Sequence, residues 1–142
     1  MSYSFQEKRE IIMHNYLNPS FKSAVTNKKI ESFSNSCGDY LEADYLIENE
    51  VIKNLHFNGN GCAYFVSSSN LLCKYLNDKS IDESLYFIDL FERNIKNELL
   101  SDEDKQKLGE LLVFDNVNQH ANRLDCVQML SKPLKENLKN EQ

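Results

Sequence analysis

The sequence LEADYLIENEVIKNLHF at residues 41–57 alternates apolar and polar side chains on both sides of an Asn49-Glu50 pair. Alternation with a period of two predicts half-buried strands at 41–48 and 51–58. The two residues between them fit a tight hairpin turn, although the glycine usual in such turns is missing. Because only one face of this hairpin is apolar, we expect helices to cover that face.

Helical spacing of apolar residues marks much of the remaining chain. It predicts helices at 4–17, 62–77, 81–98 and from about 122 to 138, with Phe5, Ile12 and Tyr16 on one face of the first. Other patterns predict an edge strand near 28–34, a turn at 58–61, an acidic helix beginning near Ser101, and a kink or new helix at Pro133. We therefore predict an α+β fold: a small antiparallel sheet of about three strands with helices packed on one face, in a single domain over residues 1–142.

Charge and composition exclude several classes of protein. The 142 residues include 16 basic and 22 acidic side chains, and the net charge of −6 argues against a general nucleic-acid-binding surface. The N-terminal residues lack the apolar region of a secretory signal, and no apolar run is long enough to span a membrane. A cytoplasmic location is therefore expected, where cysteines are more often reduced, metal-bound or catalytic than disulfide-bonded.

Three cysteines and one aspartate form the candidate site. Cys37 and Asp39 flank Gly38 just before the first predicted hairpin strand, and Cys62 begins a predicted helix, whose dipole would favour the thiolate. Cys126 lies in the first turns of the last predicted helix. Thiolates and a carboxylate suit a tetrahedral zinc ion or an iron–sulfur centre, expected to be exposed at one end of the fold. For any one of these cysteines, a buried structural thiol is an equally consistent interpretation.

The other titratable candidates are interpreted as structural. Cys73 lies on the same helix as Cys62, but about 16 Å further along its axis, which is too far for a shared metal. We interpret Cys73 as a core residue. His14 and His56 are interpreted as surface residues of a helix and a strand.

Four stretches, in this order, resemble signatures of one family. They are the helix end Ile12-Met13-His14-Asn15-Tyr16-Leu17-Asn18-Pro19, Cys37-Gly38-Asp39, Gly61-Cys62 followed by Ser67-Ser68-Ser69, and Arg123-Leu124-Asp125-Cys126. Together they resemble the IscU/SufU iron–sulfur cluster assembly family, also called NifU N-terminal-like, and the agreement extends from about residue 8 to residue 138. The long interval between Cys62 and Cys126 is similar to the SufU branch. Asp125 stands where IscU-type members have histidine and SufU-type members typically have lysine.

The resemblance implies a metal site and a role in sulfur handling. It implies that Cys37, Asp39, Cys62 and Cys126 bind zinc, with Asp125 as an alternative carboxylate ligand. It also implies a zinc-dependent sulfurtransferase that takes persulfide sulfur from a SufS-like cysteine desulfurase and passes it to apoproteins or other recipients. Cys37 would accept the sulfur, and Arg123 would stabilise the anionic site or the persulfide.

Two alternatives remain open from the sequence. In the first, Cys37, Cys62 and Cys126 hold a [2Fe–2S] cluster that is assembled on the chain and handed to apoproteins. In the second, the chain is a structural zinc domain without transfer activity. The long interval between Cys62 and Cys126 and the missing histidine favour sulfur transfer over the scaffold, and the three intact cysteines argue against a purely structural domain.

Overall fold

The computed structural model describes residues 2–34 and 38–142. An N-terminal helix and three strands come first: α1 (Phe5–Leu17), β1 (Ile30–Phe33), β2 (Tyr40–Glu48) and β3 (Val51–Asn60). Helices follow: α2 (Ala63–Leu76), α3 (Ile81–Ile95), α4 (Asp102–Leu108), α5 (Ala121–Val127) and α6 (Ser131–Glu141). Two 3₁₀ helices, Gly109–Phe114 and Val117–Gln119, connect α4 to α5. Within the described ranges, no helix combines the length and the apolar character needed to cross a membrane.

The strands form an antiparallel sheet in the order β1-β2-β3, which confirms the predicted sheet. Asn49 and Glu50 form the hairpin turn, and both have positive φ, at 52° and 63°. Positive φ at both central residues gives a turn whose twist matches that of the strands. The predicted tight turn is therefore confirmed, with asparagine and glutamate in place of glycine.

A β-bulge changes which side chains of β3 face the helices. The register between β2 and β3 shifts between Asp44 and Leu46, and Asn54 on β3 has a φ of 53°. One extra residue on a strand reverses the alternation beyond it. Ile52 is therefore buried before the bulge and Leu55 after it, so the continuous alternation predicted for the strand at 51–58 is wrong at this point.

The glycine-rich segment 58–61 was predicted as a turn, and this is wrong for most of it. β3 continues to Asn60, which pairs with Tyr40, and Gly59 pairs with Leu41. A Cβ atom at Gly59 would overlap the carbonyl oxygen of Tyr40. Glycine here permits close approach of two backbones inside the sheet, a role that the sequence alone does not distinguish from a turn.

The helices bury one face of the sheet, as predicted. The inner face of β2 carries Leu41, Ala43 and Tyr45, all buried. The core extends from these residues into α2, which is buried on almost every side, and into α3 and α6. This central position of α2 holds its N-terminal residue, and the adjacent Cys62, at a defined place beside the sheet.

One helix prediction is wrong and another is confirmed. In α1, Asn15 is buried and Ile11 and Ile12 are partly buried, whereas Phe5 and Tyr16 are 81% and 37% exposed and do not share the inward face. The kink or new helix predicted at Pro133 is confirmed as a new helix, because the region from about residue 122 is divided into α5 and α6, with Pro133 in the first turn of α6. Proline is tolerated in a first turn because the backbone N–H groups there have no partner inside the helix.

Candidate metal centre

Asp39, Cys62 and Cys126 come together from three separate parts of the chain. Asp39 lies just before β2, Cys62 lies just before α2, and Cys126 lies in α5. One ligand atom from each of these residues lies within 4.8 Å of the other two. Cys37, the fourth ligand implied by the sequence, lies outside the described residues, so its part in the site stays a prediction.

The carboxylate of Asp39 bridges the backbone and the side chain of Cys62. Its Oδ1 atom accepts a hydrogen bond from the Cys62 backbone N–H at 3.1 Å, and its Oδ2 atom lies 3.4 Å from Cys62 Sγ. Asp39 is only 2% exposed, so these contacts orient a buried acid. One oxygen is thus held by the backbone, while the other is directed toward the thiol.

Gly61 makes room for this arrangement. A Cβ atom at position 61 would lie 2.6 Å from Oδ1 of Asp39 and 2.5 Å from Cδ2 of Phe65. Distances this short require one of the neighbours to move. Glycine before Cys62 therefore allows the carboxylate to approach the start of α2, which gives a physical reason for the Gly61-Cys62 pair.

The thiol of Cys62 is less acidic than its position in the chain suggests. Burial raises the pKa of Cys62, and the negative charge of Asp39 raises it further, while the backbone of Phe65 and the thiol of Cys126 lower it. The sequence predicted that the helix N-terminus would favour the thiolate. In the protein without metal, burial outweighs that effect, so the neutral thiol is favoured.

The donor set fits zinc. Sulfur and oxygen ligands of one tetrahedral zinc ion are separated by about 3.6 Å, given the usual bond lengths, and the Asp39–Cys62 contact at 3.4 Å is close to this value. The thiolates of half-buried Cys62 and buried Cys126 would repel each other and the buried carboxylate of Asp39, and a divalent cation would offset that repulsion. Asp39, Cys62 and Cys126 can therefore provide three ligands, and the predicted fourth is Cys37.

The remaining candidates lie elsewhere. Cys73 is fully buried in the core, as predicted. His14 is exposed on α1, and Nδ1 of His56 lies 2.8 Å from the backbone oxygen of Asn54. Asp125 is exposed, and among the described residues it is not a member of the group formed with Cys62 and Cys126.

Arg123 lies one helical turn before Cys126, and its guanidinium carbon is 4.7 Å from the centre of the Tyr64 ring. Tyr64 is the second residue after Cys62, so this cation–π contact joins the chain segments that carry the two cysteines. Sequence reasoning did not identify Tyr64. Its only signal was an aromatic residue in the first turn of the helix that follows Cys62. The stabilising role of Arg123 stays a prediction.

Comparison with known proteins finds a family that matches most of the chain. The family model described as the NifU-like N terminal domain matches residues 7–127. The zinc-dependent sulfurtransferase SufU of Bacillus subtilis is 22% identical over 135 residues, which cover 94% of this chain and 90% of the relative. The iron–sulfur cluster assembly scaffold protein IscU of Streptococcus pyogenes is 26% identical over 104 residues, which cover 73% of this chain and 64% of the relative.

Among solved structures, a protein of Fervidobacterium islandicum described as an iron–sulfur cluster assembly scaffold of the SUF system (FiSufU) superposes with a TM-score of 0.80 at 24% identity, covering 96% of both chains. At this level of identity the superposition shows the fold alone. The SufU match in sequence extends over almost the whole chain, including the segment between Cys62 and Cys126. This supports the prediction that the chain is nearer to the SufU branch than to the IscU branch.

Proposed function

The chain belongs to the family of NifU-like N-terminal domains, whose relatives include iron–sulfur cluster assembly proteins, and we propose that it is a zinc-binding sulfur acceptor served by a cysteine desulfurase. The observation that carries the proposal is the convergence of Asp39, Cys62 and Cys126 within 4.8 Å. These residues are brought together by β2, α2 and α5, which are far apart in the chain. The proposal assigns Cys37 as the fourth ligand and as the accepting thiol.

The chemistry of the donors supports zinc. When bound, zinc would keep the coordinating thiols deprotonated at neutral pH and hold them close together. Without it, burial raises the pKa of Cys62, so the thiol would carry its proton. Asp39 contributes an oxygen whose direction is set by the hydrogen bond from the Cys62 backbone.

The proposed transfer is a persulfide exchange. The thiolate of Cys37 attacks the outer sulfur of a persulfide on the desulfurase, and a new sulfur–sulfur bond forms on Cys37. The sulfur–sulfur bond of the donor breaks, and the donor cysteine leaves as a thiolate. The outer sulfur is passed on without net oxidation or reduction, and a further thiol exchange would pass it to an apoprotein or another recipient.

A scaffold function is the second candidate. The relative from Streptococcus pyogenes is named an iron–sulfur cluster assembly scaffold, and thiolates of the same kind ligate [2Fe–2S] clusters. In that function, Cys37, Cys62 and Cys126 would hold the cluster before its transfer to an apoprotein. The two functions differ in what the isolated protein should contain.

Metal and acid-labile sulfide, measured per chain on protein purified without air, separate these functions. A zinc content of one per chain without sulfide is the expected result. Iron with a matching amount of sulfide would favour the scaffold. Folded protein with neither metal nor sulfide would contradict the four-ligand site.

The accepting thiol is tested with a desulfurase, cysteine as substrate, and mass spectrometry of the intact chain. We expect the wild-type protein to gain sulfur atoms, and the gain to be lost in Cys37→Ser. Cys73→Ser is the matched control, because Cys73 is buried in the core away from the site. Undiminished sulfur acceptance by Cys37→Ser would show that another thiol is the acceptor.

A further inference from the structure

A groove of about 480 Å³ lies between α1, the start of α2, the 3₁₀ segments after α4, and the start of α5. Its lining combines apolar, aromatic and basic side chains. The residues that line it are Phe5, Lys8, Arg9, Ile12, Met13, Ala63, Tyr64, Val113, Asn116, Val117, Gln119, His120 and Arg123. A groove of this size can accept part of another molecule without a rearrangement of the core.

One end of the groove is next to the candidate metal centre along the chain. Ala63 directly follows Cys62, and Arg123 lies one helical turn before Cys126. The contact between Arg123 and Tyr64 forms part of the wall at this end. A molecule lying in the groove would therefore be close to the residues that are proposed to handle sulfur.

The charge of the groove is opposite to that of the protein. The chain has 22 acidic and 16 basic residues, yet the lining contains no acidic side chain and three Lys or Arg residues. Lys8 forms an ion pair with Asp115 at 2.8 Å, whereas Arg9 makes no ion pair within the described part of the chain. The cationic charge of Arg9 and Arg123 is therefore available to an anionic group of a ligand.

Apolar surface extends the groove beyond its cavity. Phe5 is 81% exposed and Met13 is 39% exposed, although both line the groove. A small molecule confined to the cavity would leave most of the Phe5 ring in water. Coverage of this ring requires an extended apolar surface, as a protein segment provides.

We propose that this groove docks a segment of the sulfur-donating desulfurase that carries an acidic residue beside an apolar anchor. The apolar anchor covers Phe5 and Met13, and the acidic residue is attracted to Arg9. Docking in this position brings the donor to the side of the protein that carries Cys62 and Cys126. The inference rests on the proposed function, because it assigns the docking surface of the same sulfur transfer.

The test is binding of the desulfurase, with the affinity measured by calorimetry for zinc-loaded wild-type protein and for variants. Phe5→Ser and Arg9→Glu alter the groove without changing a proposed ligand. Leu99→Ser and Lys96→Glu are matched controls, because Leu99 is 92% exposed, Lys96 is exposed, and neither lines the groove. Zinc content and sulfur acceptance at saturating concentrations are measured for every variant.

We expect each groove variant to weaken binding by about tenfold, whereas the controls bind like wild type. The loss for Arg9→Glu should be smaller at high salt, because salt screens the charge. Zinc content and sulfur acceptance at saturation should be unchanged. Equal binding by groove and control variants would overturn the inference, and so would equal weakening by all four.

Failure of the proposed function gives a different result. Wild-type protein that neither binds the desulfurase nor accepts sulfur would overturn both proposals together. Wild-type protein that accepts sulfur, with groove variants of unchanged affinity, would overturn only the docking surface. The wild-type and variant measurements together therefore identify which of the two proposals has failed.

Discussion

Asp39 contacts Cys62 through both of its carboxylate oxygens, with Oδ1 at 3.1 Å from the backbone nitrogen and Oδ2 at 3.4 Å from Sγ. The backbone contact orients the carboxylate, and the second contact brings an oxygen and a sulfur to a separation suited to one metal ion.

Asp39→Asn is expected to weaken zinc binding at least tenfold, because the amide keeps an acceptor for the Cys62 N–H but loses the charged ligand. Competition with a chromophoric chelator measures the affinity, and circular dichroism checks the fold. Asp125→Asn is the matched control and should bind zinc like wild type. A larger loss in Asp125→Asn than in Asp39→Asn would indicate that Asp125 supplies the ligand.

Gly61→Ala is expected to lower the free energy of unfolding by about 1–3 kcal/mol and to weaken zinc binding, because its Cβ would lie 2.6 Å from Asp39 Oδ1. Urea denaturation and chelator competition measure the two effects. In an Asp39→Ala background, the same substitution should cost less, because one of the crowded neighbours is gone. Equal costs in both backgrounds would mean that the carboxylate is not the group displaced.

The buried thiol of Cys73 should make the stability of the folded protein decrease as pH rises into the alkaline range. Burial raises the pKa of Cys73, so the folded state keeps the proton at pH values where the unfolded chain has lost it. This contribution to stability is fully present below the ordinary thiol pKa of about 8.5 and is lost as pH rises above it. Between about pH 9 and 10.5, the free energy of unfolding should fall with pH more steeply in wild type than in Cys73→Ala. The difference between the two slopes should be up to ~1.4 kcal/mol per pH unit. Urea denaturation of reduced protein measures both slopes, and identical slopes would contradict the prediction.

Arg123→Ala is expected to slow sulfur acceptance about two- to fivefold, which corresponds to the energy of one cation–π contact. Zinc content should stay unchanged. Tyr64→Leu should have a similar effect, because it removes the ring that holds the guanidinium. Arg123→Lys should recover part of the rate, since lysine keeps the charge without the planar group. An unchanged rate in Arg123→Ala would identify Arg123 as a surface arginine without a role in transfer.

The sequence could predict those parts of the fold that leave a periodic pattern of apolar residues within a short stretch of chain. Alternation over residues 41–57 predicted the hairpin, because the period of a strand is visible within a few residues. The bulge at Asn54 and the strand pairing of Gly59 were not predicted, because the same residue types also favour turns. These are features of pairing between two strands, which the composition of one strand does not determine.

By itself, the sequence determined the order of the main elements, the position of Cys62 at a helix start, the core position of Cys73, and the family to which the chain belongs. Each of these follows from short-range periodicity or from motifs in a fixed order. Only the tertiary structure decided that Asp39, Cys62 and Cys126 meet, and that burial raises the pKa of Cys62 despite the helix terminus. It also brought basic side chains of α1 and α5 to one groove. Packing of the helices on the sheet sets the distances between remote segments and excludes water from the site. The spacing of residues along the chain does not specify either of these.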